Sequence, residues 1–412
     1  MKIVIKKPQI ESFVLMFFLL LPVLRDFVFS HIPLGYYLMD VILVVMIGFC
    51  AFANQRNMSE YIDIIVLYLV IFLLFAFKFL GDSSMGVWLT REFGVRHMFI
   101  MGGIFGYGVI RIQKNVNRML VTMRWAGIIL GVYYAYKSLE VLRNGFWRYY
   151  QFGQYWQSTS NMSWSYGVLL AICLLSIFLL IDKKVIVVVP MAIGLLGIMV
   201  YGSRGTVVSL ALGVLLTVLF VNEGKLKTRN YIAIGLFIAL ILFLFSDTGL
   251  AIITSWFQSH GLSSRFIDLF TLQQTFDVAS HGRARIWEKV IEMLMNMPLL
   301  GYGVFGERNA VYDLGYRWGY AHNIFLELLV SFGWIFGTII IILMIVGCVR
   351  FFRSATDKKE RLLFTIFLTV SFELLLSGTM WLHYGVWCLL GLYVNHYKNM
   401  RKAQHNQSSY WS

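Results

Sequence analysis

The sequence predicts an all-α polytopic membrane protein, and three observations lead to that prediction. Of its 412 residues, 59% are hydrophobic and 14% are charged, whereas soluble domains are nearer half apolar and a quarter charged. Stretches such as 64–77 and 338–349 carry no charge. Apolar runs recur about a dozen times, many near the roughly 20 residues that a membrane-spanning helix needs. We therefore expect a single integral membrane domain over 1–412 with about 12 transmembrane helices.

The expected spans alternate with polar segments. They lie at 11–29, 34–53, 61–80, 97–110, 119–138, 163–181, 185–201, 206–222, 231–246, 322–349, 362–379 and 381–397. If the N-terminus is cytoplasmic, every short cytoplasmic loop carries Lys or Arg, as the positive-inside bias requires. The even number of spans then places both termini in the cytoplasm and one large loop, about 247–321, on the extracytoplasmic side.

The net charge of +14 has to be divided between the two sides of the membrane before it indicates a partner. The cytoplasmic loops account for most of it, so membrane lipids rather than nucleic acid are the expected partner. Eleven of the twelve basic residues assigned to the outer side are arginine. The planar fork of arginine suits bidentate phosphate recognition, although ordinary surface preferences would also produce this bias.

Two outer segments are long enough to have structure of their own. Segment 139–162 is rich in aromatic residues, which are typical of interfacial anchors and can also stack on sugar rings. Within the large loop, 283–297 has helical periodicity. Its apolar face is expected to carry Trp287, Val290, Ile291 and Leu294. This pattern predicts an amphipathic helix that lies on or dips towards the bilayer.

The first candidate site residue is Arg204, in a turn of sequence Tyr201-Gly202-Ser203-Arg204-Gly205-Thr206 between two predicted spans. An ionisable residue at the membrane edge is unfavourable unless it is paired or hydrated, so it is a functional candidate. The alternative is an arginine that reaches to the headgroup phosphates.

Two further arginines, Arg283 and Arg285, stand at the start of the amphipathic helix. Cations there oppose the helix dipole. A bound anion would relieve that opposition, because helix N-termini attract phosphate. The alternative is a salt bridge from Arg285 to Glu288 one turn away.

The third candidate group is His322-Asn323, at the point where the large loop re-enters the membrane. A neutral imidazole is a common general base near pH 7, although a histidine at a helix start is often only a capping or interfacial residue. Glu327 follows one turn later inside an apolar run. It is expected either to hold His322 or an arginine in place or to pair with another helix. Glu373 is a similar carboxylate without an assigned role.

Together these residues fit one chemistry. Fixed arginines can stabilise a departing lipid pyrophosphate, and a histidine can take the proton of an attacking hydroxyl. We assign catalytic roles to His322, Arg204 and Arg285, and substrate contacts to Arg283, Asn323 and Glu327. No metal-ligand cluster is visible, so no metal or cofactor is expected.

These motifs resemble the O-antigen ligase and O-antigen polymerase (Wzy-type) family of bacterial surface-polysaccharide enzymes. The resemblance is carried by Ser203-Arg204-Gly205, by Arg285-x-Trp287 running on to Pro298-Leu299-Leu300-Gly301-Tyr302-Gly303, and by His322-Asn323 followed by Gly333 and Gly337. It is strongest over 201–337, about a third of the chain. The resemblance implies that Arg204 and Arg285 bind pyrophosphate and that His322 activates the acceptor.

The resemblance also implies a location and partners. Such enzymes act at the outer face of the cytoplasmic membrane on an undecaprenyl-pyrophosphate-linked oligosaccharide and a glycan acceptor, together with other polysaccharide-assembly proteins. We expect a polymerase of repeat units for an O-antigen, capsule or exopolysaccharide, with a ligase that transfers finished glycan to a lipid or protein as the alternative. A transporter or flippase is the alternative of another class, but transporters are commonly built from internal repeats, and none is evident.

Overall fold

The computed structural model describes residues 7–32, 35–52, 61–91, 94–96, 98, 103–144, 146–151, 154–158, 162–221, 248, 251–252, 255, 259 and 283–408. In these ranges the chain is mainly helical, which confirms the all-α class. The first helices are α1 (Lys7–Leu19), α2 (Leu21–Phe27), α3 (Gly35–Phe52), α4 (Ile62–Gly81), α5 (Phe105–Arg111), α6 (Val116–Asn144), α7 (Met162–Ile177) and α8 (Val188–Tyr201). They are followed by α9 (Arg204–Leu216), α10 (Arg283–Met295), α11 (Arg308–Asp313), α12 (Ile324–Ser354), α13 (Lys358–Ser371) and α14 (Tyr384–Ser408).

Several helices are long and apolar enough to cross a membrane. The described residues contain four such segments, at Ile62–Gly81, Val116–Asn144, Trp164–Asp182 and Ile324–Ser354. A pair bent by 68°, Gln9–Leu19 and Leu21–His31, would make five. These helices agree with the predicted class of all-α membrane proteins. The predicted number of twelve spans is not confirmed. The predicted span 231–246 lies outside the described residues, as does nearly all of the large loop before Arg283.

The aromatic segment after α6 forms a β-hairpin that the sequence did not predict. Strands β1 (Trp147–Gln151) and β2 (Gln154–Ser158) pair antiparallel. Aromatic residues favour strands because they fit a pleated surface. The first strand contacts α6 and α2, so the hairpin lies at one end of the N-terminal helices.

Helix α6 packs against three other helices, α1, α7 and α8. Close approach of α6 and α7 requires a glycine, since a Cβ on Gly127 would lie 2.9 Å from the Cβ of Leu174. In the second half of the chain, α13 packs against both α9 and α14, and α14 packs against α5. These contacts bring α9 close to the chain that follows α13.

Helix α12 is broken at Gly333, where φ is 78°. A backbone loop fills the break: the Tyr302 amide donates to the Val330 carbonyl at 2.8 Å, and the Gly303 amide donates to the Ser331 carbonyl at 3.0 Å. These bonds satisfy carbonyls that the broken helix leaves without intrahelical partners. The glycine-rich segment before α11 and the glycine of α12 therefore meet in space, although about thirty residues separate them.

Helix α10 confirms the amphipathic helix predicted within the large loop. Its buried face carries Ile286, Val290 and Leu294, each at most 4% exposed, and it packs on α11 and α12. Trp287 is partly buried and packs against the cluster that contains these three residues. Ile291, which was predicted on the same face, is 50% exposed. Protein thus covers much of the apolar face that was expected to meet the bilayer.

Candidate active site

His322 lies in the turn that precedes α12, and its ring is buried. The side chain is 3% exposed, and neither ring nitrogen has a hydrogen-bond partner among the described residues. The backbone φ of His322 is 55°, a left-handed conformation that is unfavourable by roughly 1–2 kcal/mol for a residue with a Cβ. Buried polar groups are normally paired, so an unpaired ring in a strained backbone is typical of a functional position.

The backbone just before His322 is fixed by helix α10. The indole Nε1 of Trp287 donates to the carbonyl oxygen of Ala321 at 3.0 Å. Trp287 is the aromatic residue of the Arg285-x-Trp287 motif, so the two motifs that are distant in sequence touch here. This bond places the arginine-bearing end of α10 beside the histidine.

The backbone just after His322 is fixed by Asn323, the N-cap of α12. Its Oδ1 accepts from the amides of Phe325 and Leu326 at 3.0 and 3.1 Å. Its Nδ2 donates to the carbonyl of Leu375 at 3.0 Å. Both polar atoms of the predicted substrate contact are therefore engaged by the protein, and this geometry gives Asn323 a positioning role.

Of the two arginines at the start of α10, Arg283 lies close enough to act electrostatically on His322. It is half-buried, and it also interacts with Tyr166 and Tyr320. Arg285 is exposed. Helical geometry separates the two side chains, because residues three and four apart share a face and residues two apart do not. Of these two arginines, the half-buried Arg283 therefore acts electrostatically on the candidate base.

The turn that holds Arg204 is capped by hydroxyl groups. The Ser203 side chain caps α9 by accepting from the Thr206 amide. The Ser165 hydroxyl accepts from the Ser203 amide at 3.3 Å and from the Thr206 hydroxyl at 3.0 Å. These bonds tie the start of α9 to α7, which fixes where the backbone of Arg204 lies.

The same turn lies next to Tyr166. A Cβ on Gly205 would lie 3.6 Å from the Tyr166 hydroxyl, and that tyrosine interacts electrostatically with Arg283. The residue after Arg204 therefore lies close to a tyrosine on which the charge of Arg283 acts.

Glu327 is buried one turn into α12 and bonds to the segment after α13. Its carboxylate accepts from the Thr379 hydroxyl and, at 3.0 Å, from the Met380 amide. The sequence predicted that Glu327 would hold His322 or an arginine in place or pair with another helix. Its two partners instead lie in the nonhelical segment after α13, and these bonds fix the first turn of α12.

Sequence reasoning missed the Glu307-Arg308 pair. Both side chains are fully buried, with Arg308 Nε 3.9 Å from Glu307 Oε1. The Arg308 Nη1 donates to the carbonyl of Trp318 at 2.6 Å, and its charge acts on His322. Burial raises the pKa of Glu307, against the lowering effect of the adjacent guanidinium. In the sequence, only the adjacency of opposite charges hinted at this cluster.

Glu373 follows α13, which ends as an α-helix at Ser371, before the end of the span predicted at 362–379. Its Oε2 lies 3.1 Å from Nε2 of His383. The Nδ1 of His383 accepts from the Gly385 amide at 3.2 Å, so its ring proton is on Nε2 and points at the carboxylate. Unlike His322, this histidine has protein partners for both nitrogens.

The apolar helices, together with His322, Arg283 and Arg308, define a helical membrane protein in which two arginines act electrostatically on a buried imidazole. Residues 189–342 match the family model described as O-antigen ligase. This match agrees with the resemblance that the motifs indicated, and the matched segment contains α9 to α11 and the first part of α12.

A curated relative supports the same assignment. Part of the chain is 31% identical over 108 residues to the ComP-specific O-oligosaccharyltransferase of Acinetobacter baylyi. The match covers 24% of this chain and 19% of the relative, so the chain spans about a fifth of that protein's length. No solved structure matches the chain.

Proposed function

We propose that this protein is a membrane glycosyltransferase of the ligase type. It transfers a glycan from an undecaprenyl-pyrophosphate carrier to a hydroxyl of a separate acceptor. The observation that carries this proposal is His322. Its imidazole is buried, has no hydrogen-bond partner among the described residues and is acted on electrostatically by Arg283 and Arg308, within a segment that matches the O-antigen ligase family.

The reaction follows from these groups. The acceptor hydroxyl oxygen attacks the anomeric carbon of the donor sugar, and its proton passes to a ring nitrogen of His322. The bond between the anomeric carbon and the pyrophosphate oxygen breaks, and the electron pair leaves with the pyrophosphate. Arginine side chains stabilise the negative charge that develops on that oxygen.

We assign the arginines different parts in this step. Arg283, whose charge acts on His322, stabilises the leaving oxygen. Arg204 and Arg285 bind the remaining phosphate oxygens, as the family resemblance implies. Asn323 and Glu327 hold the first turn of α12 in place, so that His322 keeps its position.

The ligase reading is supported better than polymerisation of repeat units. The matching family is described as O-antigen ligase, and the relative is named an O-oligosaccharyltransferase. In the proposed topology both termini are cytoplasmic, and the site opens on the extracytoplasmic side of the inner membrane.

The test uses purified protein in nanodiscs with undecaprenyl-pyrophosphate oligosaccharide, with and without a lipid-anchored core oligosaccharide as acceptor. Product that forms only with the acceptor supports the ligase. A ladder of longer glycans without acceptor would identify a polymerase instead. Movement of intact donor across sealed vesicles without transfer would favour a transporter.

Variants of α10 separate the proposed roles. Arg283→Ala should abolish transfer, and Arg283→Lys should restore it only in part because the bidentate fork is lost. Lys289→Ala is the matched control, since Lys289 lies on the polar face of the same helix and pairs with Glu292 at 2.9 Å. Full activity in Arg283→Ala would remove that arginine from the site.

A further inference from the structure

A row of rings leads from the surface to His322. Tyr316, Trp318, Tyr320 and His322 occupy every second position of the segment between α11 and α12. The rings of Tyr316 and Trp318 lie 5.7 Å apart, those of Trp318 and His322 lie 5.5 Å apart, and those of Tyr320 and His322 lie 4.4 Å apart. Tyr316 and Trp318 are half-buried, whereas the last two rings are buried. The row therefore begins where a ligand can reach it and ends at the candidate base.

The backbone of this row is fixed by buried groups. The Trp318 carbonyl accepts from the fully buried Arg308. The next residue, Gly319, has a φ of 66°, and a Cβ there would lie 2.4 Å from the Trp88 ring. A segment held in this way keeps its aromatic faces in one orientation before any ligand binds, which lowers the entropic penalty of binding.

Trp318 also carries a polar group without a protein partner. Its Nε1 is buried and makes no hydrogen bond within the described part of the chain. The nearby indoles of Trp287 and Trp334 donate to backbone carbonyls at 3.0 and 3.2 Å. A buried tryptophan N–H usually has a partner. Trp318 and His322 are thus adjacent rings, and both have polar atoms for which the described residues supply no hydrogen-bond partner.

We propose that Tyr316 and Trp318 form the subsite for the acceptor sugar, which places its attacking hydroxyl at His322. The apolar C–H face of a pyranose ring packs on the aromatic rings, and a ring hydroxyl accepts from Trp318 Nε1. The edge contact between Trp318 and His322 assigns the subsite to the acceptor, because the base must reach the hydroxyl of the attacking sugar. This inference rests on the proposed function.

Kinetics of Trp318 variants in the nanodisc assay test the assignment. Trp318→Ala should raise the KM for the lipid-anchored core oligosaccharide about three- to tenfold, the range expected for loss of one aromatic contact. The donor KM should stay unchanged. Trp318→Phe keeps a ring face and loses only the N–H, so a smaller rise in acceptor KM is expected. Trp125→Ala is the matched control, since Trp125 is 59% exposed on α6.

Thermal unfolding and size-exclusion profiles establish that each variant is folded. If Trp318→Ala does not fold, Trp318→Phe decides the question alone. A rise in donor KM without a rise in acceptor KM would assign the rings to the donor sugar and overturn the proposal. Unchanged KM for both substrates would overturn it as well.

A binding measurement without donor separates this inference from the transfer reaction. The same core oligosaccharide without its lipid is titrated calorimetrically into the wild type and Trp318→Ala. Binding that weakens in the variant supports the subsite even if no donor is ever consumed, an outcome that would defeat the proposed function alone. Equal binding by both proteins contradicts the subsite and leaves the proposed function intact.

Discussion

His322 should be a residue whose removal abolishes transfer while reducing stability less than the loss of an ordinary buried ring does. Replacing a buried aromatic ring by a small residue usually costs about 3–5 kcal/mol. Here two gains oppose that loss. Each buried nitrogen without a partner is unfavourable by roughly 1–3 kcal/mol, and glycine relieves a left-handed backbone strain of roughly 1–2 kcal/mol. We therefore expect His322→Gly to be within about 2 kcal/mol of the wild type and more stable than His322→Ala.

His383 provides the matched control for this experiment. Both of its ring nitrogens are bonded, so His383→Ala loses these partners and leaves the buried carboxylate of Glu373 without one. That variant should unfold at a clearly lower temperature than either His322 variant.

Thermal unfolding can be followed with a thiol-reactive dye, because Cys50, Cys173 and Cys388 are buried until the protein unfolds. Transfer is measured on the same preparations. The reasoning is refuted if His322→Ala destabilises the protein as much as His383→Ala does, because the imidazole would then be a structural partner. Normal transfer by a stable His322→Gly would refute its role as the base.

Three smaller changes test the supports of the site. Asn323→Ala should lower the free energy of unfolding by about 2 kcal/mol, because it removes the helix cap and the bond to the Leu375 carbonyl. Asn323→Asp keeps the cap and should be more stable than Asn323→Ala. Equal unfolding temperatures for these two variants would contradict the capping role. Trp287→Phe removes the bond to Ala321, so kcat should fall with donor KM nearly constant; unchanged kcat would show that α10 does not fix the base. Gly333→Ala meets a backbone carbonyl at 2.3 Å with φ at 78° and should reduce folded yield, whereas a normal yield would show that the break in α12 can relax.

Much of the local structure could be predicted from the sequence. Uninterrupted apolar runs predicted the helices Ile62–Gly81 and Trp164–Asp182 because burial in lipid requires apolar side chains over a fixed length. Helical periodicity predicted α10, because apolar residues three and four apart lie on one face of a helix. The motifs around Arg204 and His322 predicted the O-antigen ligase family, which the match over 189–342 confirms.

The partners of the site residues could not be predicted in this way. Nothing local in the sequence indicates that Arg283 is half-buried and acts on His322 while Arg285 is exposed, since both begin the same helix. The buried pair Glu307-Arg308 gives no periodic signal. Its effect on the site arises because α11 packs against α10, and because Arg308 of α11 donates to the carbonyl of Trp318, four residues before His322.

The sequence by itself determined the membrane class, the helical segments and the residue types available for pyrophosphate chemistry, because these follow from hydropathy and from spacing within a few turns. Only the tertiary structure decided which side chains converge. The loop at Gly301 fills the break at Gly333, and the bond from Trp287 to Ala321 joins α10 to the turn of His322. Such contacts depend on packing between segments tens of residues apart, and they leave no periodic trace in the sequence.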